Sequence, residues 1–142
     1  MGENEAMPFG RTIPALPIRD VGSALMHYTE RLGFEVAYSN EGFARVVRDE
    51  CEIHLWQASD RSWLQRDDFR EVPVRTGAED FIAGTASCRI EVDDAAAAHA
   101  EMAATGALHG TMGDGPQETP WGTLDVHVLD AEGNLLTFFQ RP

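Results

Sequence analysis

Basic residues are scarce in this chain of 142 residues: eleven, all arginine, stand against twenty-four aspartates and glutamates, for a net charge of −13. A nucleic-acid partner needs a clustered positive surface, so the balance argues against one; it suits a cationic ligand, or simply solubility. Long apolar runs are missing as well. None approaches the roughly 18 residues of a membrane span, which argues against a membrane partner. The opening "MGENEAMPFGR" has no basic stretch followed by an apolar one, and the expectation is a cytoplasmic protein. Cysteine occurs twice, at Cys51 and Cys88, with no C-x-x-C pair, which removes zinc-finger and thioredoxin readings. Both lie in apolar strand-like segments and read as buried free thiols. No serine or cysteine sits in an elbow or triad context, so no catalytic residue is assigned.

With 43% hydrophobic and 25% charged residues, the composition is that of one globular domain spanning residues 1–142. "TIPALPI" (12–18) is apolar but broken by Pro14 and Pro17, which predicts an edge strand or arm. Asp20 is placed to cap "VGSALMHYTERL", whose apolar residues fall at helical spacing up to Gly33. Strands are predicted over 34–39, 43–48 and 51–57. Residues 59–84 lack periodicity and read as a connecting loop. "ASCRIEV" (86–92) then predicts a strand, Asp93 or Asp94 caps "AAAAHAEMAAT", and Gly106 ends that helix. A strand-like stretch follows near 107–112, then a loop to Thr119, and two strands within "PWGTLDVHVLDAEGNLLTFF" (120–139).

Thirteen positions separate Asp20 from Gly33, and thirteen separate Asp93 from Gly106. The order strand–helix–three strands therefore occurs twice, in a first module over 12–58 and a second over 85–140. The fold expected is α+β: two tandem β-α-β-β-β modules forming a curved, mainly antiparallel sheet with the helices outside. A shift of 73 residues also superposes His54 on His127 and Glu52 on Asp125. That match is not structural, because His54 falls in the fourth strand of its module and His127 in the third.

The stretches "IPALPIRDVGSALMHYTERLGFEVAYSNEGFARVVRDE", "SCRIEVDD" and "PWGTLDVHVLDAEGNLLTFF" resemble the bleomycin resistance proteins. These belong to the vicinal oxygen chelate superfamily, with glyoxalase I, extradiol dioxygenases and fosfomycin-modifying enzymes. The resemblance runs from about Ile13 to Phe139 and leaves out the loop 59–84. Metal enzymes of the superfamily carry ligands at positions that fall here on Ile13, Ser87 and Thr137. Isoleucine cannot ligate, and a divalent ion needs about three or four histidine or carboxylate donors within roughly 2.0–2.3 Å. Only His54 stands where a ligand could sit, so neither metal nor other cofactor is expected.

The resemblance implies a protein that sequesters a bleomycin-like cationic aromatic antibiotic without modifying it. The alternatives are a metal-dependent glyoxalase- or dioxygenase-type enzyme, and a binding module for another small aromatic metabolite. Ligand-binding candidates are the aromatics Tyr38, Phe43, Trp56, Trp63 and Trp121, which can stack on flat ligands, together with His54. Glu52 and Asp125 could attract a cationic tail, although a solvated strand face would account for either. His99 and His109 read as surface residues. The resemblance also implies a homodimer whose N-terminal arm, marked by Pro14, is exchanged between subunits, with a groove at each interface.

Overall fold

The structure is a computed structural model and describes residues 6–58 and 83–142. The first strand is β1 (Ala15–Ile18), which among the described residues is an edge strand, its ladder running parallel to β4. Pro17 has no N–H to give a second neighbour, which suits an edge. Helix α1 (Val21–Glu30) starts where the Asp20 carboxylate accepts the Ser23 N–H at 2.7 Å. It buries Val21, Ala24 and Tyr28, spaced to share one face, and the chain leaves it through Gly33 at φ +75°. Strands β2 (Glu35–Ser39), β3 (Phe43–Arg48) and β4 (Cys51–Gln57) form an antiparallel meander, and the sheet order is β1-β4-β3-β2. At its first turn the Asn40 side chain accepts the Gly42 N–H at 2.9 Å.

The second half repeats the order with β5 (Ser87–Glu91), α2 (Ala95–Thr105), β6 (Gln117–Glu118), β7 (Leu124–Leu129) and β8 (Leu135–Gln140), arranged β5-β8-β7-β6. Of the two aspartates that could cap α2, Asp94 does so, and Gly106 ends the helix at φ +75°. His54 lies in β4 and His127 in β7, so they occupy different strands of their sheets. Among the described residues no helix is long and apolar enough to cross a membrane.

Several expectations are corrected. The strands make two four-stranded sheets rather than one curved sheet, at least among the described residues. Pro14 and Pro17 leave the outer edge of β1 short of the donors a further neighbour would need. The strand expected near 107–112 is only an isolated bridge, Leu108 to Val128. Met112 donates its N–H back to the His109 carbonyl at 2.9 Å, closing a turn, and the strand comes later as β6. His99 is not a surface residue. It is 8% exposed on the core side of α2, and its Nε2 donates to the Gly113 carbonyl at 2.9 Å. His109 is half-buried, its Nδ1 accepting the Thr111 N–H at 3.1 Å.

A single core joins the halves. Leu16, Ile18, Tyr28, Leu32, Val46, Ile53 and Leu55 pack in one cluster with Met102, Val126, Val128, Leu136 and Phe138. Cys51 and Cys88 lie against it half-buried rather than fully buried; desolvation raises both thiols, Cys88 to about 11. Polar ties reinforce the joint. The Tyr28 hydroxyl donates to Asp130 at 3.0 Å, and burial, with the Asp130 charge, holds that phenol far above its ordinary range. Asn134, fully buried, donates to the Pro17 carbonyl at 2.6 Å and to Asp130 at 3.0 Å. Its oxygen accepts the N–H groups of Gly84 and Ala86. Nearer the surface, Arg48 grips Glu101 with two bonds of 2.6 and 2.9 Å.

Candidate ligand-binding face

Residues along a strand alternate between its two faces. Ala44, Val46, Ile53 and Leu55 all turn into the core and are 0% exposed. Their neighbours Phe43, Arg45, Glu52, His54 and Trp56 therefore stand on the opposite face of the first sheet. Phe43 pairs with Trp56 across β3 and β4, and Arg45 pairs with His54. A register shift between Val36 and Tyr38 brings Tyr38 beside Arg45 on the other side.

The rings touch. Phe43 lies 4.6 Å from Trp56, 6.2 Å from Tyr38 and 5.2 Å from the His54 imidazole, centroid to centroid. Trp56 remains 41% and Tyr38 52% exposed. An aromatic patch facing water on a sheet is a surface on which a flat ligand can stack, each ring pair adding about 0.5–1.5 kcal/mol beyond area burial. The fold thus brings Tyr38, Phe43, His54 and Trp56 together, with Glu52 at one end.

Glu52 is already well supplied with partners. His54 Nε2 lies 2.8 Å from its carboxylate, Arg11 3.4 Å and Arg45 3.9 Å. The hydrogen bond from His54, with help from the arginine charges, holds the carboxyl below its ordinary range. Glu52 and His54 are therefore bound to each other, and among the described residues no three histidine, cysteine or carboxylate side chains converge as a metal site. Thr137 is buried and bonded to His127 Nδ1 at 2.8 Å.

Asp125 corrects the expectation of a solvated strand face. It is 2% exposed, and Arg89 clamps it with two bonds of 3.0 and 3.2 Å, while the Thr123 hydroxyl donates a third at 2.8 Å. Desolvation pushes this carboxyl up, but the donors from Arg89 and Thr123 outweigh it and leave it below its ordinary range. Arg89 also lies over the Phe139 ring at 4.6 Å. The negative charge of Asp125 is spent within the protein.

Trp121 is 67% exposed in the turn before β7, with Gly122 at φ +96°, and none of the ring contacts of the first sheet reaches it. Trp63 lies outside the described residues. Pro14 backs the site from the arm: its carbonyl accepts the His54 N–H at 3.0 Å. Sequence reasoning missed Arg45 and Arg89. Strand alternation from Phe43 would have found Arg45. Nothing local marks Arg89, whose partner lies two strands away across β8.

Residues 12–138 match the model of the Glyoxalase/Bleomycin resistance protein/Dioxygenase superfamily. A bleomycin resistance protein of Geobacillus stearothermophilus is 41% identical over 131 residues, covering 92% of this chain and 96% of that one. One from Staphylococcus aureus matches to the same extent. Among solved structures, the bleomycin-binding protein of Streptomyces verticillus in complex with copper(II)-bleomycin is similar at a TM-score of 0.68 and 24% identity, covering 96% of this chain and 99% of that one. The repeated strand order, the shared core and these matches together place the chain in the glyoxalase/bleomycin resistance protein/dioxygenase superfamily.

Proposed function

We propose that this protein confers antibiotic resistance by binding: it sequesters a bleomycin-like, cationic aromatic drug stoichiometrically and leaves it chemically unchanged. The observation that carries this reading is the exposed ring cluster of Tyr38, Phe43 and Trp56 on the sheet face turned away from the core. A face that only had to be soluble would not need three touching rings in water, and a contiguous exposed apolar patch marks an interaction site. The names of the 41% identical relatives point the same way. No nucleophile, base or metal is needed for such a role.

The working form in this proposal is a homodimer whose N-terminal arm crosses to the other subunit, with Pro14 stiffening it and a binding groove at each interface. Met7 and Phe9, which are 76% and 91% exposed, would gain an apolar environment on such a crossing. Trp121 and Trp63 are proposed as further groove residues.

The test is a titration of EDTA-treated protein with metal-free bleomycin, followed by tryptophan fluorescence and heat. Saturation at one drug per chain is expected, with Trp56→Ala weakening binding about tenfold or more. Absence of any saturable signal up to roughly millimolar drug, an affinity too weak for sequestration, would exclude bleomycin as the ligand.

A further inference from the structure

The centre of the aromatic face holds a cation. Arg45 occupies the middle of a cross-strand row, with Tyr38 on one side and His54 on the other, beside the Phe43–Trp56 pair. Residues directly opposite one another in a ladder stand about 5 Å apart at Cβ, so a ligand lying on the rings also covers the guanidinium. The Arg45 side chain is 46% exposed, and its only polar contact among the described residues is Glu52 at 3.9 Å, beyond hydrogen-bond length. A guanidinium carries five N–H donors in a planar fork. Among the described residues none of them is used in a hydrogen bond, whereas Arg48 and Arg89 each spend two on a carboxylate.

The local charge balance sharpens the point. Glu52 already takes His54 at 2.8 Å and Arg11 at 3.4 Å. Counting Arg11, Arg45 and Glu52, this patch is net positive in a protein whose overall charge is −13. A cationic group placed here would meet like charge, while a carbonyl or anionic oxygen would find unspent donors.

We propose that Arg45 is a specificity-determining residue of the aromatic face. It selects flat aromatic ligands bearing a carbonyl or anionic oxygen at their rim, and directs any cationic group of the ligand away from the row Tyr38–Arg45–His54. This rests on the aromatic face being the binding site. It reassigns the recognition of a cationic tail away from Glu52 and Asp125, both of which are neutralised within the fold.

The test compares 2-naphthoate with 2-naphthylmethylammonium, which share a ring system and differ in the charge of the rim group. Binding is read by tryptophan fluorescence at about 0.15 M salt, where the Debye length of roughly 8 Å screens distant carboxylates. The wild-type protein is expected to prefer naphthoate about tenfold, Arg45→Met to abolish that preference, and Arg45→Lys, which keeps the charge but loses the fork, to retain part of it. Trp56→Ala should weaken both probes alike. A preference for the ammonium probe, no saturable binding of either, or an unchanged ratio in Arg45→Met would each overturn the assignment. An unchanged ratio in Arg45→Met alongside loss of both probes in Trp56→Ala would remove Arg45 alone and leave the aromatic face standing. Insensitivity of both probes to Trp56→Ala would remove the face itself.

Discussion

At the scale of single residues, the decisive pattern is which charges the protein has already used. Asp125 looks like a ligand-facing carboxylate in the sequence, yet it is buried and bidentate with Arg89. Removing the arginine leaves a buried charge with, among the described residues, the Thr123 hydroxyl as its remaining side-chain donor. Arg89→Met should therefore lose about 2 kcal/mol at neutral pH by urea denaturation, somewhat below a fully buried pair because the guanidinium is half in water. The carboxyl is held below its ordinary value of 3.8, so its stabilising contribution is complete above that pH and disappears as pH falls through the lower folded value. The gap between the wild-type protein and Arg89→Met should accordingly narrow under strongly acidic conditions. A gap independent of pH would show that the arginine acts through packing on Phe139 instead.

At the scale of elements, local chemistry sets the boundaries. Asp94→Ala removes the side chain that accepts the Ala97 N–H at 3.0 Å, and should cost about 1 kcal/mol in a thermal or urea melt. Gly84→Ala should cost more. Its φ is +77°, and an added Cβ would lie 2.9 Å from the Glu132 backbone oxygen, which cannot swing aside like a side chain. Finding the two variants equally stable would mean that the turn relaxes. The same local character explains what the sequence made legible. Caps at Asp20 and Asp94, the glycines at 33 and 106, and the alternation of 43–48 and 51–57 locate both helices and most strands. Where local signals were weak, the reading slipped: β6 has two residues, and the glycine-punctuated stretch before it carries no alternation. The candidate face was legible as a set of residue types, since Phe43, His54 and Trp56 do share a face. Their charged neighbours were not, because Arg89 meets Asp125 only once β5, β8 and β7 are laid side by side.

Across the whole molecule, the two halves are tied rather than merely adjacent. Asn134, in the second half, reaches the Pro17 carbonyl in β1 and also fixes the backbone of Gly84 and Ala86. Asn134→Ala should leave the buried Pro17 carbonyl without its donor, free the half-buried Ala86 N–H and the more exposed Gly84 N–H, and cost about 2 kcal/mol, a large fraction of a typical domain's stability. Unfolding should remain one transition, coincident by tryptophan fluorescence and far-ultraviolet circular dichroism. Separate transitions for the two probes would mean that the halves are independent. The half-buried thiols have a different consequence, one of endurance. In the proposed sequestering role, protection lasts only as long as the copies stay intact, so capacity is a number of surviving molecules rather than a rate. Cys88, raised to about 11, and Cys51, raised in the same direction, remain protonated near neutrality, and it is the thiolate that oxidants and electrophiles attack. Packing these sulfurs against the core therefore slows one route of chemical ageing.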